Sequence, residues 1–182
     1  MNLVEYKKVA LQRLNKTIEN NPKESMCYSQ MGLIEETGEI IAELRKPLFK
    51  GNFHEKILDI PSIKSELGDL MWYIALMCRD YNVNIEELEK LQITEKQVQL
   101  PKREKLIQVA ISMGQSTGQI VQECMGIYNE NKSNEELIKK MREQYKNINE
   151  LAGVLDISID EILNENVRKI NSRYNEKGDV NR

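Results

Sequence analysis

Two acidic clusters, Glu35-Glu36-Thr37-Gly38-Glu39 and Glu66-Leu67-Gly68-Asp69, sit inside stretches that otherwise repeat apolar residues at helical spacing. Glu36 and Glu39 are three residues apart, as are Glu66 and Asp69, so each pair shares one helix face. Met31, Ile34, Ile41 and Leu44 surround the first pair, and an apolar run from Leu70 to Met77 follows the second. Carboxylates at this spacing repel, and burying an unpaired one is costly unless it takes up a proton. Four of them on two core-forming helices call for a cation. An all-oxygen donor set calls for a hard one, Mg²⁺ first and then Mn²⁺ or Ca²⁺.

The rest of the chain fits an all-α bundle. Only 5% of its residues are aromatic, it has 4 prolines, and 30% are charged, a mix that favours packed helices over a sheet. Its 182 residues suit one domain, or two small similar halves packed as one. A net charge of −3 makes no general electrostatic case for DNA or RNA. Cys27, Cys78 and Cys124 are isolated and odd in number, and read as reduced thiols that mostly fill core. No apolar run is long enough to span a bilayer, and the N-terminus lacks an apolar signal core, so no membrane role and a cytoplasmic location are expected.

The pattern predicts a first helix over residues 2–19, broken by Asn20-Asn21-Pro22, and a second over 24–46 that Pro47 ends. Residues 47–61 read as a loop, Ser62 as the cap of a helix reaching about 82, and 84–88 as a short helix. A polar linker leads to Pro101, then helices follow over about 102–130, 134–155 and 159–175, with a tail expected to fray. The two halves resemble each other. Residues 34–40 match 114–120 at an offset of 80, and residues 83–88 match 157–162 at an offset of 74. In the second copy Glu35, Glu36 and Glu39 become Gln115, Ser116 and Gln119, while Lys140 and Glu143 stand opposite Glu66 and Asp69. The expected organisation is a first half over 1–92 with the acidic site, a degenerate second half over 102–176, and a flexible tail over 177–182.

Each motif has a plainer reading. Helical glutamates are commonly solvated, but here the same spacing recurs on two helices flanked by apolar residues. A di-iron bundle would need Glu-x-x-His on two helices, and the only histidine, His54, falls in a loop and reads as a surface residue. Asn166, Lys169 and Arg173 recur at i, i+3 and i+7, so amide, ammonium and guanidinium line one stripe suited to phosphate oxygens. Alone, that stripe would be an ordinary basic helix end answering the macrodipole. Lys46 and Lys50, just past the first cluster, are further phosphate candidates. Tyr73 lies one turn from Asp69, where it could stack on a base, whereas Trp72 reads as core. No Walker loop, dinucleotide glycine pattern, zinc cluster or nucleophile elbow is present.

At these residues the sequence resembles the all-α nucleoside triphosphate pyrophosphohydrolases, the group of MazG, the phosphoribosyl-ATP pyrophosphohydrolases and the dimeric dUTPases. Their signature, Glu-Glu-x-x-Glu followed by Glu-x-x-Asp, is matched by Glu35, Glu36, Glu39, Glu66 and Asp69. A downstream Asn-x-x-Lys-Leu/Ile-x-x-Arg-Tyr is matched by Asn166, Lys169, Ile170, Arg173 and Tyr174. The resemblance implies Mg²⁺, with Mn²⁺ as a substitute, on Glu36, Glu39, Glu66 and Asp69, and Glu35 helping to orient water. It implies cleavage of a (d)NTP between the α and β phosphates. Glu39 would accept a proton, and Lys169 and Arg173 would take the charge of the departing pyrophosphate. In simple MazG domains the Asn/Lys/Arg helix follows closely on Glu-x-x-Asp. Here it ends the carboxylate-free half, which suggests two halves packed as a pseudo-dimer with one composite site, as in the dUTPase-like branch. Both a single chain and a homodimer are compatible with that arrangement. The competing reading is a non-catalytic helical regulatory protein that binds a nucleotide or metal without turnover.

Overall fold

The computed structural model describes residues 1–49, 51, 54, 57–90, 100–130 and 133–173, and among them every regular element is helical. The elements are α1 (Leu3–Leu11), α2 (Lys16–Glu19), α3 (Pro22–Phe49), α4 (Ile60–Asp80), a 3-10 turn (Ile85–Glu89), α5 (Lys102–Glu130), α6 (Glu135–Val154) and α7 (Ile159–Arg173). Helices α3 and α4 pack against each other, α5 and α6 do the same, and α3 and α5 join the two pairs; α7 and α1 lie on α4. The core runs through all of them. Leu33, Ile40 and Leu44 of α3 meet Leu67, Met71 and Ile74 of α4, Met113 and Ile120 of α5, and Met141 and Ile148 of α6. No helix among the described residues is long and apolar enough to cross a membrane.

Four boundaries differ from the sequence expectation. The expected single helix over 2–19 is two helices, because the chain turns after Leu11, buries Leu14, and restarts where the Asn15 side chain accepts from Thr17 N at 2.8 Å. Pro22 does not merely break a helix; it opens α3, where a missing N–H costs nothing. Pro47 does not end that helix, which continues to Phe49. Leu44 and Leu48 are buried there, and the Arg103 guanidinium donates to Leu48 O at 3.2 and 3.1 Å while lying over the Phe49 ring. Burial and this borrowed cap offset the hydrogen bond that proline forfeits. Helix α4 begins at Ile60, capped by Asp59 rather than Ser62.

The register of α3 on α4 is fixed at one end by Asp80. Its buried carboxylate pairs with Arg79 and accepts from Ser25 Oγ at 2.8 Å. The offsets seen in the sequence recur in space. Asn82 and Asp156, 74 residues apart, both adopt positive φ (52° and 57°) just after α4 and α6. Each is followed by the same closing bond, Val83 N to Cys78 O at 2.8 Å and Ile157 N to Ala152 O at 2.9 Å. The hydroxyls of Thr37 and Thr117, 80 residues apart, meet at 2.9 Å where α3 crosses α5. Gln144 Nε2 donates to Thr117 at 3.1 Å, and Ser116, Asn147 and Ser112 continue the buried network. Cys78 and Cys124 are buried and free, as expected of core thiols, and burial pushes each up to about 12; Cys27 is exposed.

Candidate active site

Packing α3 on α4 brings Glu36, Glu39 and Glu66 together, with one oxygen from each lying within 4.8 Å of the others. The oxygens around a Mg²⁺ stand about 3–4 Å apart, so modest side-chain adjustment would seat all three on one ion. The electrostatics point the same way. Half-buried Glu36 is pushed up to about 8, first by desolvation and then by the charges of Asp69, Glu66, Glu39 and Glu35. Burial also raises Glu66, although Lys169 pulls it down. Excess negative charge against a partly dry wall fits a divalent cation. Among the described residues this is the only such acidic group.

Asp69 stands beside the trio, but its oxygens are engaged. Asn166 Nδ2 donates to Oδ1 at 2.8 Å, and Lys169 Nζ pairs with Oδ2 while also donating to Ser65 Oγ at 2.8 Å. Two of the three stripe residues on α7 therefore reach α4 directly. The third, Arg173, lines the adjoining cleft with Lys169. Glu35 is exposed and outside the trio, within electrostatic reach of Glu36. Lys46 lies two turns beyond Glu39, exposed and paired with Glu43 at 3.3 Å, and does not line the cleft. Lys50 and Tyr174 lie outside the described residues, as do residues 91–99 of the expected linker to Pro101 and the tail over 177–182. His54 is exposed in the α3–α4 connection, as expected.

The cleft beside the carboxylates has a volume of about 160 Å³. Glu36, Asp69, Lys169 and Arg173 form its charged end. Tyr28, Trp72 and Tyr73 form an aromatic wall with ring centroids 5.0 to 6.3 Å apart. Trp72 is more than core: its indole N–H donates to Ala10 O at 3.1 Å and its ring faces the cleft. Arg13, Leu14, Asn15 and Ile18, from the turn between α1 and α2 and from α2, also line it, and Arg13 Nε donates to Asn171 Oδ1 of α7 at 3.3 Å.

Sequence reasoning did not find Tyr28, Arg13 or Asn15. For Tyr28 a signal exists: Tyr28, Gly32 and Glu36 recur every four residues and share one face of α3. Gly32 lies between them because a Cβ there would come within 2.1 Å of the Tyr73 ring. Nothing local marks Arg13 or Asn15; only the turn after Leu11 brings them over the cleft.

A polar groove of about 380 Å³ is lined by Gln115, Ser116, Gln119, Lys140 and Glu143 among others, the positions that the sequence offsets set opposite the acidic residues. Among the described residues no acidic cluster forms there.

Residues 28–102 match the family model of the MazG nucleotide pyrophosphohydrolase domain. No curated protein and no solved structure matches the chain. The matched segment spans most of α3, all of α4 and the 3-10 turn, and so contains every carboxylate of the cluster. Residues 28–102 of this all-helical chain, less than half of its length, are thus similar to the MazG nucleotide pyrophosphohydrolase domain, and the helical fold is consistent with that likeness.

Proposed function

We propose that the chain hydrolyses a nucleoside triphosphate, (d)NTP, to the monophosphate and pyrophosphate, and depends on Mg²⁺ to do so. The observation that carries this reading is the convergence of Glu36, Glu39 and Glu66, of which Glu36 lines a cleft shared with aromatic and basic side chains. Those three carboxylates would hold the cation, with Asp69 alongside. When bound, it supplies positive charge to the phosphate chain and lowers the pKa of a nearby water.

The chain's own residues account for the remaining work. The nucleoside lies against Tyr28, Trp72 and Tyr73, which offer flat apolar surface without demanding one base. Arg13 and Asn15, which also line the cleft, offer donors to the nucleotide. The triphosphate runs toward the carboxylates. Water attacks the α phosphorus as the bond from that atom to the bridging oxygen breaks, and pyrophosphate leaves. Glu39, exposed at the rim of the trio and assisted by Glu35, accepts the proton of the attacking water. Lys169 and Arg173 stabilise the charge that develops on pyrophosphate. The second half, 102–176, is a copy of the first that has given up its carboxylates, which leaves one site per chain.

Alanine at Glu36 or at Glu39 tests this reading. Each variant should retain its helical circular dichroism and lose Mg²⁺-dependent turnover. Unchanged turnover in either would remove the carboxylate assignment.

A further inference from the structure

Tyr6 of α1 is fully buried, yet it carries a hydroxyl where phenylalanine would fill the same space. Burying that hydroxyl is costly unless it is bonded. It donates to Asn166 Oδ1 at 2.7 Å, with Gly68 O farther off at 3.4 Å. Asn166 is itself only 2% exposed, so its amide lies behind the cleft rather than in it. An isolated amide can sit either way round. Here a donor faces its oxygen and a carboxylate faces its nitrogen, so both neighbours select the same orientation. The outcome is a continuous chain: Tyr6 to Asn166, Asn166 to Asp69 Oδ1, and Asp69 Oδ2 to Lys169, which is steadied by Ser65. Gly68 makes room for it, since a Cβ there would lie 2.9 Å from Asn166 Cβ.

We propose that Tyr6 is a positioning residue: through Asn166 it orients the Asp69 carboxylate, which holds the Lys169 ammonium where the pyrophosphate end of the substrate binds. The proposal rests on the function above. It makes Asn166 part of the support for Lys169 rather than a phosphate contact. It also gives Asp69 a task distinct from that of the Glu36, Glu39 and Glu66 trio.

A double-mutant cycle tests it, with Tyr6→Phe, Asn166→Ala and the pair together. Two readouts are needed. One is the affinity for pyrophosphate with Mg²⁺, by calorimetry, which requires no turnover; the other is kcat/KM for a nucleoside triphosphate. Tyr6→Phe should weaken both by roughly fivefold, the ratio that one hydrogen bond of ordinary strength supplies. Because Tyr6 acts through Asn166, the double variant should be no worse than Asn166→Ala alone. Leu3→Ala, which loosens the packing of α1 without touching the chain of bonds, should lower the melting temperature while leaving pyrophosphate affinity as it was. Wild-type affinity in Tyr6→Phe would overturn the proposal. So would losses that multiply in the double variant, or a Leu3→Ala variant that reproduces the defect. If the wild-type chain neither binds pyrophosphate nor turns over any triphosphate, the proposed function fails and the inference falls with it. If the wild type does both and the cycle is multiplicative, only the inference fails.

Discussion

Replacing Glu36 by glutamine should stabilise the metal-free protein at alkaline pH while disabling its site. Desolvation and four neighbouring carboxylates move Glu36 from the ordinary 4.5 to about 8. Between those values the folded chain holds a proton that the unfolded chain has released. Stability from this group is therefore complete below the lower value and lost as pH rises through the upper one. Unscreened, a displacement of that size would correspond to about 5 kcal/mol. Glu36 is only half-buried, so solvent screening brings the expected figure to about 2 kcal/mol. Glutamine keeps the shape and cannot ionise. For a chain of this size 2 kcal/mol is worth about 4–8 °C in melting temperature. The assay is a thermal melt in chelator, comparing wild type with Glu36→Gln at about pH 9 and about pH 5. The variant should melt higher at the alkaline pH and the two should converge at the acidic one. Saturating Mg²⁺ should then raise the wild type far more than the variant. A variant that melts lower than wild type at alkaline pH in chelator would refute the reasoning, because it would mean that the carboxylate is not held in a field of like charge.

Three other perturbations bear on the cleft. Gly32→Ala would press a methyl into the Tyr73 ring, forcing it to swing and reshape the aromatic wall, so KM should rise while the melting temperature falls only slightly; steady-state kinetics would show an unchanged KM if the wall is not used. Trp72 is the single tryptophan of the chain and faces the cleft, so binding of a non-hydrolysable nucleotide should change its fluorescence, and a flat titration would place the base elsewhere. Lys169→Met removes the cation that Asp69 holds, and should lower kcat roughly 100-fold, as loss of a preorganised charge partner does; kcat within a few-fold of wild type would show that the leaving pyrophosphate is neutralised elsewhere.

Much of this was legible in the residues, for physical reasons. Long helices announce themselves by periodicity, so α5, α6 and α7 fall within a residue or two of the expected bounds. The acidic trio was legible because carboxylates amid core residues need a chemical explanation, and three-residue spacing puts them on one face. What was hidden depends on contacts distant in sequence. Pro47 stays helical because Arg103, on another helix, caps the carbonyl of Leu48. The break after Leu11 appears only once Leu14 has a core to enter. That break carries Arg13 and Asn15 to the cleft, so missing the turn meant missing the residues. Asp69 illustrates the same limit: its spacing from Glu66 marks a shared face, while its partners come from α7, nearly 100 residues away.

The account turns on which bond is broken and on the need for a cation. Incubation of the wild-type chain with a panel of NTPs and dNTPs, with Mg²⁺ and with chelator, followed by phosphorus NMR of the products, tests both at once. The account predicts monophosphate and pyrophosphate in equal amounts with Mg²⁺ and neither with chelator. Orthophosphate and nucleoside diphosphate as products, or release that persists in chelator, would contradict it.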